Sequence, residues 1–121
     1  MQADLLDFEM VAEARDILGP RYFESLERFA KQGRERLAII RAEIDKNGDP
    51  AVIAFEAHSF KFSAACLGAR VFPSVAQNLE VAARSLAPGA TLSPLEIHWY
   101  ELEKSFEALQ SAFSDIPRDS S

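Results

Sequence analysis

Residues 49–71 run DPAVIAFEAHSFKFSAACLGARV, and Ile53, Ala57, Phe60, Ala64, Leu67 and Val71 recur in them every three or four positions. That is the period of one buried helix face, not the alternation of a strand. Asp49 can cap such a helix at its start, and Pro50 suits its first turn. Just upstream, Asn47-Gly48 can close a preceding helix in a left-handed conformation. That preceding helix is expected from about Pro20 to Lys46, with Phe23, Leu26, Ala30, Leu37, Ile40 and Ile44 at helical spacing.

Working outward, a short helix is expected at about 5–18, stopped by Gly19. Downstream, Pro73 opens a further helix with Val75, Leu79, Ala82 and Leu86 turned inward. Ser93-Pro94-Leu95-Glu96 has the form of a capping box. The last helix follows it, with Leu95, Trp99, Leu102, Phe106, Leu109 and Phe113 on one face. No segment alternates as a strand would. Four amphipathic helices joined by short turns predict an all-α chain, an antiparallel up-down four-helix bundle with an additional short N-terminal helix across one end. The 121 residues are expected to form a single domain, 1–121, with its core at about 20–115 and a frayed tail at 117–121.

Composition bounds the function. The formal net charge is −6 and the pI about 4.9, which argues against a nucleic-acid or anionic-membrane surface. One cysteine, Cys66, allows no intrachain disulfide and suits a reducing compartment. Met1-Gln2-Ala3-Asp4 lacks the basic and apolar regions of a signal peptide, and no apolar run reaches the ~20 residues of a membrane span. A cytoplasmic, monomeric protein is expected.

The chemistry is concentrated in residues 57–69. His58 lies one residue, about 100°, off the apolar stripe and so at the edge of the bundle. Lys61 and Phe62 lie about one turn further along the same side, continued by Ala65 and Ala69, with Gly68 close by. Small residues keep such a flank low, and a mid-helix glycine costs roughly 1 kcal/mol relative to alanine. Spacing alone leaves two readings open. One is plain packing of small residues against a neighbouring helix, and the other is a flank kept open for a partner to reach the imidazole.

His58, Lys61, Ser63, Leu67, Gly68 and Ala69 resemble the pattern of histidine-containing phosphotransfer (HPt) domains. There a His is followed by Lys at +3, a small or hydroxyl residue at +5, and apolar-Gly-apolar at +9 to +11. The resemblance extends from about Tyr22 to Phe113. It includes a long helix ending in a Gly-Asp turn before the motif and a helix bearing Asn78-Leu79-Glu80 after it. It implies a phosphorelay carrier that takes a phosphoryl group on His58 from the aspartate of a receiver domain and passes it on or back. The partners implied are receiver domains of response regulators and of hybrid sensor kinases. Mg²⁺ would be supplied by the receiver, with no cofactor of the chain's own. Lys61 would offset phosphate charge, and Glu80 would orient the imidazole from the following helix. Gln77, one turn earlier, belongs to the same neighbourhood. Phe62, Ala65, Gly68, Ala69 and Gln77 would meet the partner.

One position departs from that pattern. The family carries glycine at +4, where this chain has Phe62. The ring can crowd a docking receiver, anchor a particular partner, or turn aside against a neighbouring helix. A different class of function therefore stands beside the carrier: an HPt-like helical interaction module that binds a kinase or regulator without transferring phosphate. Other chemistry is poorly supported. His98-x-x-Glu101 is a lone pair, and no Cys/His cluster has zinc spacing. Cys66 sits next to the core stripe, where a buried, inert thiol is expected. Glu101 and Glu103 read as an exposed helix face. No phosphate-binding glycine loop or kinase ATP site occurs, so the chain is expected to be a stoichiometric carrier rather than an enzyme.

Overall fold

A computed structural model describes residues 5–118. The expectation that the chain frays at 117–121 falls partly on residues 119–121, outside the described residues, as does the Met1–Asp4 segment. The described residues form five α-helices: α1 (Phe8–Leu18), α2 (Arg21–Asp45), α3 (Pro50–Leu67), α4 (Phe72–Arg84) and α5 (Glu96–Ser114). Helices α2, α3, α4 and α5 each pack against the next, and α5 closes the ring against α2, giving a four-helix bundle. Helix α1 lies across α2 and α3. The only extended pairing among the described residues is an isolated antiparallel bridge between Leu6 and Ala69.

Local sequence explains most of the helix ends. Asp7 accepts from the N–H groups of Glu9 and Met10, so α1 starts at Phe8 and Leu5-Leu6 stay free for the bridge. Asn47 takes a left-handed conformation, φ 52°, as α2 ends. Asp49 caps α3 through the Ala51 N–H at 2.9 Å, with Pro50 in the first turn.

Three expectations need correcting. No capping box forms at 93–96. Residues Ser93–Leu95 make a single 3-10 turn without a side-chain cap, the Ser93 hydroxyl lies 3.3 Å from that of Thr91, and Glu96 instead pairs with Arg41 at 2.7 Å. The first half of α2 buries Tyr22 and Phe29 in place of the expected Phe23 and Ala30. The inward face of α4 is also rotated. Phe72, Ala76, Leu79 and Ala83 are fully buried, while Val75, Ala82 and Leu86 are only partly so. The cause is Phe72, whose ring enters an aromatic cluster in the bundle centre.

That cluster joins Phe29, Phe60, Phe72, Phe106 and Phe113, with ring centroids 4.7–6.3 Å apart. Edge-to-face and tilted pairs at such separations add to the stabilisation from burial alone. Gly33 permits it. A Cβ there would meet the Phe106 ring and come within 3.1 Å of Phe60. The core also reaches beyond the expected 20–115, because Leu6, Val11, Ala14 and Ile116 are buried.

The end of α3 is fastened from three directions. Gly68 ends it at φ 107°, and the Ala69 N–H returns to the Ala64 carbonyl. The Gly68 carbonyl accepts from the Asp7 N–H, and the Arg70 N–H donates to Leu5, each at 2.8 Å. Tyr22, fully buried on α2, donates its hydroxyl to the Leu67 carbonyl at 2.8 Å. Burial pushes that phenol up to about 12, against the opposing field of Arg15, so it remains a donor. These bonds fix where α3 stops and how it is rotated in the bundle.

Candidate functional site

That rotation leaves one face of α3 outside the core. Phe55, His58 and Phe62 follow each other on it at three- and four-residue spacing. Phe55 is 63% exposed and Phe62 61% exposed, and the His58 side chain is 46% exposed. Apolar residues thus surround much of α3, unlike a helix with a single buried stripe. The Phe62 ring centroid lies 5.7 Å from that of His58, tilted by 55°. Its exposure shows that it does not turn aside into a neighbouring helix, and the imidazole beside it stays open to solvent.

Glu80 is supplied by α4, facing α3. It is the one charged residue in the buried class among the described residues. Its carboxylate gathers three side chains. His58 Nδ1 lies 3.2 Å from Oε2 and 3.4 Å from Oε1. Lys61 Nζ donates to Oε1 at 3.1 Å, and Arg84 Nε and Nη2 both donate to Oε2 at 3.1 Å. Desolvation by burial opposes ionisation of Glu80. The hydrogen bonds from Lys61 and Arg84 and the nearby positive charge outweigh it, so the carboxyl is held below its usual range. Glu80 is therefore an anion near neutral pH and can only accept. The His58 nitrogen facing it must donate, which in the neutral ring puts the proton on Nδ1 and the lone pair on Nε2.

His58, Lys61 and Glu80, separated by up to 22 positions in sequence, are thus brought together in one cluster. Phe62 is beside it, and Ala65 continues the same side of α3, partly exposed. Gln77 is exposed on α4, one turn before Glu80, and hydrogen-bonds to neither His58 nor Glu80.

Gly68 and Ala69 do not belong to this exposed flank. The helix ends before them, both are buried, and Val11 of α1 lies over Gly68. The small residue at 68 answers to the left-handed cap and to α1. Cys66 is also misplaced by the sequence reading: it is exposed, because α3 turns it away from the core stripe.

Two residues of the surroundings went unnoticed in the sequence. Arg84 was visible as Glu80-x-x-x-Arg84, an i,i+4 acid–base pair. Phe55 carried no signal, since an aromatic residue on an apolar helix reads as core. Among the described residues no group of three His, Cys, Asp or Glu side chains is placed to hold a metal ion, and no helix is long and apolar enough to cross a membrane.

Comparison with known proteins bears on the family and the fold. The family model described as Hpt domain matches residues 24–112. Among solved structures, the chain is similar to histidine-containing phosphotransfer protein B from Pseudomonas aeruginosa PAO1. The TM-score is 0.82 and the identity 24%, over 93% of each chain. It is also similar to a rice chain assigned to the histidine-containing phosphotransfer proteins, with TM-score 0.63 and 15% identity, covering 97% of this chain and 89% of that one. At these identities the structural matches speak for the fold. No curated protein matches the chain significantly.

Proposed function

The chain belongs to the Hpt domain family, and from that premise we propose that His58 carries a phosphoryl group between receiver domains. The observation that carries this reading is the pairing of a half-exposed imidazole with a buried, ionised Glu80 at 3.2 Å. In the proposed step, the Nε2 lone pair attacks the phosphorus of a receiver's phosphoaspartate. The P–O bond to the aspartyl group breaks, and its electron pair leaves on the aspartate carboxylate. The Nδ1 proton stays in place, so the phosphorylated ring becomes a cation held against Glu80. Lys61, one turn from His58, offsets charge on the phosphoryl oxygens as a mobile point charge. Reversal of the same step returns the group to that receiver or passes it to another. Mg²⁺ and the machinery around the aspartate belong to the receiver, and the chain acts as a stoichiometric carrier without its own ATP site.

Phe55 and Phe62, one turn either side of His58, would seat on an apolar part of the receiver's face, with Ala65 and Gln77 at the margin. Exposed aromatic side chains are favoured at the centres of contacts. The exposed Phe62 ring beside His58 also supports a second reading, a module that binds a kinase or regulator and transfers nothing. Incubation with a phosphorylated receiver separates the two. The carrier acquires acid-labile, base-stable label that is lost in His58→Gln. Binding without label, across several receivers, would contradict the carrier and favour the module.

A further inference from the structure

Glu80 holds more positive charge than orientation of one imidazole requires. Lys61 occupies Oε1, while Arg84 occupies Oε2 through both Nε and Nη2. Oε2 is also the closer oxygen to His58 Nδ1. Arg84 thus acts on the oxygen that orients the ring, and Lys61 on the other. Arg84 comes from the same helix as Glu80, four residues on, whereas Lys61 comes from the helix that carries His58.

We propose that Arg84 is a positioning residue, which keeps the Glu80 carboxylate on His58 Nδ1 when Lys61 leaves it for the phosphoryl oxygens. This rests on the carrier reading of His58. Before transfer the cluster has a neutral imidazole, one anion and two cations, so it is positive by one charge. Transfer adds one negative charge in total and leaves the cluster neutral. Lys61 cannot serve Glu80 and the phosphoryl oxygens equally, because both compete for one ammonium. Without Arg84, the carboxylate would then keep only the cationic ring as a counter-charge, beside a phosphate dianion, and would swing away or take up a proton. Either event releases the Nδ1 proton from its acceptor. With Arg84 in place, the carboxylate stays ionised and aimed, and the ring leaves or receives the phosphoryl group in one fixed orientation. A plain i,i+4 surface pair would have no such dependence on the phosphorylation state.

The test compares wild type with Arg84→Met, which keeps length and loses charge, and Arg84→Lys, which restores charge. Each is loaded with potassium phosphoramidate, which phosphorylates histidine without a receiver, and the ¹⁵N shifts of His58 are followed. In the free protein, all three are expected to keep the Nδ1–H tautomer, because Lys61 still holds Oε1. In the phosphorylated protein, the Nδ1 signal of Arg84→Met is expected to lose its hydrogen-bonded shift, and Arg84→Lys to recover it. Transfer from the loaded protein to a receiver is expected to slow roughly tenfold or more in Arg84→Met.

An Nδ1 shift and transfer rate in Arg84→Met equal to wild type would overturn the proposal. So would failure of phosphoramidate to load His58, since the scheme needs a free Nε2. Wild-type protein that loads chemically but exchanges with no receiver would instead contradict the carrier reading, while the Nδ1 comparison still decides the role of Arg84.

Discussion

Substituting Gly68 by alanine separates a structural glycine from a docking glycine. Gly68 has φ 107°, where an L side chain is strained, at a cost of about 1–2 kcal/mol. The added Cβ would overlap the Val11 side chain and lie 3.1 and 3.2 Å from the Val11 backbone N and Cα. A backbone neighbour cannot rotate away, and overpacking of this kind costs about 1–3 kcal/mol. Together the expected loss is about 2–5 kcal/mol, or a fall in Tm of roughly 10–20 °C for a domain of this size. Urea unfolding followed by far-UV circular dichroism measures the first, and calorimetry the second. Phosphotransfer per folded molecule should be unchanged at temperatures where the variant is folded, because Gly68 lies under α1 and not beside His58. A change in stability within about 0.5 kcal/mol, the range of ordinary surface substitutions, combined with slowed transfer, would refute this reasoning and return Gly68 to the partner surface.

Glu80→Gln keeps shape and removes charge, and at pH 7 it should destabilise the fold by about 1–3 kcal/mol through the weakened charged hydrogen bonds. The Glu80 carboxyl is lowered in the folded state, with His58 and Lys61 facing it from α3 and Arg84 from its own helix. Its contribution is therefore fully present above the unfolded pKa, and is lost as pH falls through the folded value. The gap between wild type and Glu80→Gln in urea titrations should close on acidification, and a gap that widens there would contradict the assignment. Phe55→Ala and Phe62→Ala should each leave stability within about 0.5 kcal/mol, since both rings are more than half exposed. Each should weaken receiver binding about 5–30-fold in titration calorimetry if the rings sit at the contact centre. Tighter binding with faster transfer in Phe62→Ala would show that the ring crowds the partner.

The fold was legible because its strongest determinants are local. Asp49-Pro50 starts a helix, Asn47 ends one, and the stripes of α3 and α5 keep their period over several turns, whereas the first half of α2 buries Tyr22 and Phe29 in place of the expected Phe23 and Ala30. The parts that were misread depend on contacts distant in sequence. Whether Gly68 is mid-helix or terminal is settled by Leu5, Asp7, Val11 and Tyr22, which lie some 45 or more positions away. The face of α4 turned on Phe72 finding an aromatic cluster built by three other helices. Glu96 matched a capping box but found a better partner in Arg41. Within the site, one helix period places His58 and Lys61 on the same flank, but their roles came from resemblance. Glu80 came from resemblance, because nothing local relates α4 to α3. Arg84 followed from Glu80 by i,i+4 spacing once Glu80 mattered.

The central claim is that His58 Nε2 is the atom that bears the phosphoryl group. The direct measurement is ³¹P and ¹⁵N NMR on protein carrying ¹⁵N-histidine, after incubation with a phosphorylated receiver and Mg²⁺. The account predicts a phosphoramidate signal coupled to Nε2 of His58, with Nδ1 still protonated. Phosphorus bound to Nδ1, or no phosphoramidate signal from receivers that bind the chain, would contradict it.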